Sequence, residues 1–444
     1  MFFASLWPFL NELDHSADET FLGYVVTSYS LGAVMAAPAF GWLHNRTGGC
    51  RLLMVVSTVA EFVSSLIYSF IPNFAQHYRK WLLLIARLVC GVGVGGMNVL
   101  LRAYVVSASS PAQRSRALAI LLGVYTFGKV FGPAIQAAFT PIGYPGFQWA
   151  FVNFDMYTAA GFFSMLVDGL VILLLIIFFK EHGGSAAAHE EAKKSPYYAL
   201  PKYDKLAVAV AIGTNFVLLF AYTTAETVVT PYTMAMYSWN DSEGSAYNNL
   251  ILSVQSLCAF IAYSVYGWKL GSVDCRKGVL FGLASFILFF LSTFPWPFYT
   301  ARIDYQLSGT EFYSCPSSFD WCRSSPQTPL WLFVSMCSVV FGVAFPATEV
   351  PLITLFSKIV GPRKQGTIQA IYFLVGTASR VVGPIVLMQI FTHEGPAILW
   401  IALMALVAVA CLPWCFLWKK MIPLKTELKS GQSFAYKRGV LYRF

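Results

Sequence analysis

The chain has 444 residues, 57% of them hydrophobic and only 11% charged. A soluble domain carries about a quarter charged residues, so this composition excludes an ordinary solvated surface. The formal charge of +9 would suit nucleic acid. The basic residues sit in short loops between apolar runs, however, which excludes nucleic acid and makes a lipid bilayer the expected partner.

In chain order, Met1 to Leu10 (MFFASLWPFL) comes first, an apolar stub of about 15 Å at helical rise. It is too short to span. Without a basic start or a small-residue cleavage site, it reads as the end of an incomplete first helix rather than as a signal peptide. Eleven apolar runs follow, each long enough to cross roughly 30 Å of hydrocarbon as a helix. They lie near 20–44, 51–71, 81–106, 117–140, 157–179, 206–233, 246–268, 278–297, 329–356, 366–391 and 396–418. The expected layout is all-α and polytopic, with an N-terminal helical half over 1–179 and a C-terminal half over 206–418. Between them, 180–205 is a Gly-, Ala-, Pro- and charge-rich linker, and 419–444 is a basic tail.

Lys and Arg set the orientation. Twenty-two fall on the side that holds the linker and the tail, four on the other side, and four within apolar runs. The linker and the C-terminus are therefore expected in the cytoplasm. Asn240-Asp-Ser242 is a glycosylation sequon in a loop assigned to the far side. Cys315 and Cys322 share another such loop, where an oxidising compartment would permit a disulfide. Unused sequons and unpaired neighbouring cysteines are equally ordinary, so both readings stay open. In the linker, Tyr197-Tyr-Ala-Leu200 fits a tyrosine-based signal for sorting adaptors, a short match that also arises by chance.

Between the second and third helices, counting the stub as the first, stands Gly41-Trp-Leu-His-Asn45-Arg46-Thr-Gly48-Gly-Cys-Arg51. The fourth helix carries Arg87 followed by Gly91, Gly93, Gly95 and Gly96, small residues that admit close backbone approach. The fifth has Gly128-Lys129-Val-Phe-Gly132-Pro133, and the eleventh has Gly376-Thr-Ala-Ser-Arg380-Val-Val-Gly383-Pro384. A Lys or Arg three residues before Gly-Pro thus recurs at the fifth helix of each half, a sign of internal duplication.

Taken together, these motifs resemble the major facilitator superfamily: the loop signature, the arginine-and-glycine fourth helix and the Gly-Pro elements stand in that family's order. The resemblance implies two six-helix halves, here with the first helix truncated, and a transport function. It implies that Gly41, Asn45, Arg46, Gly48 and Arg51 form a gating loop, and that Gly128, Gly132, Pro133, Gly383 and Pro384 bend helices. In that family an acidic residue occupies the position of Asn45, where it caps a partner helix and latches the closed state. Further stretches, among them Ser5-Leu-Trp7-Pro8, Arg102-Ala-Tyr104 and Glu226-Thr-Val-Val-Thr230-Pro231, are similar to the lysosomal branch of the superfamily linked to neuronal ceroid lipofuscinosis. That implies residence in lysosomal or late-endosomal membrane.

An ionisable side chain at bilayer depth costs roughly 2.5–3.5 kcal/mol on insertion scales, so it faces a cavity or a partner. Arg380, Lys129 and Arg87 are expected to make an electropositive cavity for a small anionic solute, with Glu226 and Glu61 as proton-coupling carboxylates. For Arg87 and Glu226 a structural pairing stays equally open. Glu61, Arg102, Asp168 and Glu349 are read as structural, although Pro346 and Pro351 around Glu349 suggest a broken helix. A channel-like pathway for chloride or another anion in the same fold, and a non-transporting scaffold or sensor, are the alternatives. The six histidines are scattered, so no metal site is expected. Nothing resembles a P-loop, a nucleophile elbow or a Rossmann fingerprint, so neither a cofactor nor an enzyme is expected.

Overall fold

The computed structural model describes residues 6–14, 19–110, 112–149, 152–181, 202–239, 241–270, 273–303, 315, 319–323, 325–361, 365–424, 435–437 and 440–442. Among them, eight helical stretches are long and apolar enough to cross a bilayer. The chain folds as two compact units. The first comprises Met1–Ser109, Phe127–Ala192 and Pro362–Ala378, and the second Ser110–Thr126, Lys193–Gly361 and Ser379–Phe444. The units are therefore not plain sequence halves, because two helices are each divided between them.

The first unit begins with α1 (Leu6–Leu13), then α2 (Glu19–Thr47), α3 (Arg51–Phe70) and α4 (Gln76–Ala108). Helix α5 (Arg114–Phe139) belongs to this unit from Phe127 onward. A short antiparallel hairpin, β1 (Phe147–Trp149) with β2 (Val152–Phe154), leads into α6 (Thr158–Ile177). The stub at the start is a docked amphipathic helix. Leu6, Phe9, Leu10 and Leu13 recur at helical spacing and bury one face against Val25, Tyr68, Leu83 and Tyr157. Asp14 just beyond them accepts an ion pair from Lys80 at 2.9 Å.

Lipid gives no hydrophobic drive to join helices, so packing and hydrogen bonds must do it. On α4, Gly91 and Gly95 face α2, and a methyl group on Gly91 would collide with the Tyr29 carbonyl oxygen. The α3 face of α4 is held differently. Ser57 donates to the Gly93 carbonyl and Ser64 to that of Ala86, each at 2.8 Å. Asp155 starts α6: its carboxylate accepts from the N–H groups of Tyr157 and Thr158 at 2.8 Å, while its own N–H donates to the Thr158 hydroxyl at 2.9 Å.

The second unit holds α7 (Lys205–Thr227), α8 (Val229–Tyr237), α9 (Asp241–Val265) and α10 (Cys275–Ser292). After α11 (Leu330–Ser335) come α12 (Gly342–Val360) and α13 (Gly366–Phe416), the last of these from Ser379 onward. π-Helical turns follow α9 at Tyr266–Leu270 and precede α12 at Met336–Phe341. The tail carries a hairpin of β3 (Ala435–Lys437) and β4 (Val440–Tyr442). The run read as one helix over 206–233 is interrupted at Val228, three residues before Pro231. The runs at 366–391 and 396–418 form one element bent at Gly395, whose φ of +80° suits glycine. Cys315 and Cys322 are joined by a disulfide, and neighbouring Trp321 packs its ring on Gly395 and Phe391.

One expectation fails here. Helix α12 is not broken between Pro346 and Pro351 but runs on through both. A proline frees the carbonyl four residues earlier. For Pro351 that carbonyl belongs to Ala347, and it accepts from the Tyr266 hydroxyl at 3.3 Å. Glu349 between the prolines is buried and accepts a hydrogen bond from Tyr263.

Candidate functional site

The loop joining α2 to α3 is built around helix ends. Gly41 lets α2 approach the start of α13, since a methyl group there would stand 2.6 Å from the Gly366 carbonyl oxygen and from Ala370 Cβ. One turn on, Asn45 caps α13: Oδ1 accepts from the Gly366 N–H at 2.9 Å and Nδ2 donates to Thr367 Oγ1 at 2.8 Å. Gly48, with φ +75°, ends α2, and its N–H donates to the His44 carbonyl at 2.9 Å. Arg46 is exposed and lies 5.3 Å from the Trp42 ring centroid.

Arg51 and Glu181 fasten α3 to α6 reciprocally. Arg51 Nε donates to the Leu175 carbonyl at 3.1 Å, and a second guanidinium nitrogen donates to that of Ile176. Both carbonyls lie in the last turn of α6, where a cation is favoured. Glu181 in turn accepts from the N–H groups of Cys50 at 2.9 Å and Arg51 at 2.7 Å, at the start of α3. Burial and the adjoining Glu181 carboxylate push the Cys50 thiol up to about 12, so this cysteine is a protonated packing group and not a nucleophile. Glu181 was missed in the sequence. Its signal was an acidic residue just past the fifth apolar run, set among other linker charges.

Of the ionisable residues within the spans, Arg87 is half-buried on α4, with its guanidinium 5.1 Å from the Tyr29 ring centroid. Its Nε is buried without a hydrogen-bond partner. Cys90, almost one turn on, is within electrostatic reach of Arg87, Glu61 and Asp168. Asp168 accepts from Ser65 at 3.3 Å. The structure thus gathers Arg87, Glu61 and Asp168 into one polar neighbourhood of α3, α4 and α6 in the first unit. Arg102 lies 5.7 Å from the Phe373 ring centroid in the same unit.

Lys129 is exposed on the first-unit part of α5, and Arg380 is half-buried on the second-unit part of α13. Each stands four residues before a proline, Pro133 or Pro384, so each one's carbonyl loses its helical N–H partner. Both helices nonetheless continue through the proline. Gly132 is buried, Gly128 has open space where a Cβ would stand, and at Gly383 a Cβ would meet Thr223 at 3.1 Å. Glu226 lies in the last turn of α7, with its side chain outside the described structure, and Asn240 and Tyr197–Leu200 lie outside the described residues. Among the described residues, no three His, Cys, Asp or Glu are grouped to hold a metal ion.

Long apolar helices, small-residue seams and a helix-capping loop define the class: a polytopic helical membrane protein with a transporter fold. Residues 1–384 match the family model described as Major Facilitator Superfamily, and the chain belongs to that superfamily. It is 30% identical to the Major facilitator superfamily domain-containing protein 8 of Xenopus laevis, over 95% of this chain and 88% of the relative. The fold is shared with the proton:xylose symporter XylE, at TM-score 0.69 and 13% identity, over 94% of this chain and 92% of that one. It is also shared with the human organic anion transporter MFSD10, at TM-score 0.66 and 15% identity, over 92% and 88%.

Proposed function

We propose that the chain moves a small anionic solute across an endolysosomal membrane by alternating access. The observation that carries this reading is Arg87, a cation held within a membrane-depth helix with one buried guanidinium nitrogen unbonded. Such a charge is costly to insert and is retained where it meets a ligand or a partner. The Arg380 repeat position supplies a second cation, and Asn45 supplies a helix-end contact able to open and close. Location in lysosomal or late-endosomal membrane is supported by resemblance to the lysosomal branch of the superfamily. With the linker and tail in the cytoplasm, Asn240 would carry its glycan on the lumenal side, and Tyr197–Leu200 would face sorting adaptors. Protons would couple through Glu226 or Glu61.

The test is anion flux in proteoliposomes holding the full chain. Arg380→Ala and Arg87→Ala should each cut flux by about tenfold or more while melting temperature and yield hold. Unchanged flux in both variants overturns the anion assignment. Unitary currents in place of saturable flux would replace the carrier with a channel.

A further inference from the structure

In the second unit, a slot of about 260 Å³ runs between the first half of α5 and the end of α9. Its walls touch at two glycines. A Cβ on Gly267 would stand 3.6 and 3.9 Å from Ile120 and Ala119, and one on Gly123 would stand 3.3 Å from Tyr263. As residue number rises along α5 it falls along α9, so the two stretches are antiparallel. Arg116 and Trp268 therefore share one mouth of the slot, and Val124 and Phe260 the other. From Arg116 to Val124 the slot spans about 12 Å at helical rise.

The lining is chemically lopsided. Ile120 and Val124 are exposed at 54% and 65%, and Trp268 at 83%. Of the two hydroxyls, that of Ser264 donates into its own helix at 2.9 Å and that of Tyr263 donates to Glu349. The charge is confined to one mouth, where Arg116 is exposed and Lys269 follows Trp268 on the π-helical turn. Trp beside basic residues is the pairing that seats at a membrane–water boundary, and Arg116 in the mouth and Lys269 next to Trp268 in sequence both lie on the side that the Lys and Arg count assigns to the cytoplasm.

We infer that this slot holds one acyl chain of an anionic phospholipid whose headgroup phosphate meets Arg116. A volume below the roughly 300–1,000 Å³ of an enclosed small-molecule pocket, open along its side, admits a chain segment rather than a whole solute. The apolar walls take the methylenes, Trp268 stands at headgroup level, and Arg116 and Lys269 supply the charge complement. The inference rests on membrane embedding and not on the transport reading, and it is measured by binding alone.

The test is native mass spectrometry of the full chain in detergent, with palmitoyl-oleoyl phosphatidylglycerol or the matching phosphatidylcholine added in equal amounts. The wild type should retain the phosphatidylglycerol adduct about fivefold more than the phosphatidylcholine adduct. Arg116→Gln should bring that ratio near one. Ile120→Trp, which fills the slot while leaving the cation, should lower retention of both lipids, with an unchanged melting temperature confirming its fold. Equal retention of the two lipids by the wild type overturns the inference. So does retention that neither variant alters.

Discussion

A neutral side chain holds the start of α13. Asn45 supplies a hydrogen-bond acceptor to the Gly366 N–H and a donor to Thr367. It is a helix cap that carries no charge. Removing such a cap costs about 1 kcal/mol, or roughly a fivefold change in a local opening equilibrium. Asn45→Ala should therefore speed amide hydrogen exchange at Gly366 about fivefold. Asn45→Asp keeps the acceptor and sets a full negative charge at the positive end of α13, worth roughly 0.3–1 kcal/mol more. It should slow exchange at the same amide and, if opening of this contact limits turnover, slow transport as well. An unchanged exchange rate in Asn45→Ala would place the latch on other residues.

At the scale of the element, Asp155 shows how a loop outside the spans can respond to pH. Burial holds its carboxyl above the ordinary value, against the opposing pull of its hydrogen bonds from Thr158 and Tyr157. The folded chain thus keeps this proton more tightly than the unfolded chain, and the contribution of Asp155 to stability rises as pH falls toward the unfolded value of about 4. Asp155→Asn, a stand-in for the neutral form, should melt no lower than wild type at pH 7, and the two should converge in acid. Asp155→Ala removes the cap and should cost about 1 kcal/mol in acid and less at pH 7. A wild-type advantage over Asp155→Asn at pH 7 that is lost on acidification would refute this assignment.

The spans were legible because a twenty-residue apolar run has one fate in a bilayer. Gly41 and Asn45 were legible through the loop signature they share with the superfamily, although the helix end that Asn45 caps lies 321 residues on. Other features were not. Which serines of α3 meet which carbonyls of α4 depends on helix rotation, which hydropathy does not encode. Glu181 is brought to α3 by the whole length of α6. Tyr266 rescues the Ala347 carbonyl from another helix, so the prolines beside Glu349 suggested a break that a tertiary contact repairs.

For the molecule as a whole, two helices change allegiance along their length. Helix α5 passes from the second unit to the first after Thr126, and α13 from the first to the second after Ala378. In each case the repeated basic residue, Lys129 or Arg380, follows within three positions. Internal duplication accounts for this recurrence. It also means that the sidedness of one half constrains the other, so orientation can be tested at a few points. Cys415, at the end of α13 beside Lys419 and Lys420, is the exposed member of the described free cysteines. In sealed lysosomes a membrane-impermeant maleimide should label it from outside, and Cys415→Ser should abolish that label. The glycan expected on Asn240 should resist an added glycosidase until the membrane is permeabilised, and Asn240→Gln should remove it. Labelling of Cys415 only after permeabilisation would invert the chain and move the linker and basic tail into the lumen. The 22 basic residues assigned to the cytoplasmic side against four on the other make labelling in the intact organelle the expected result.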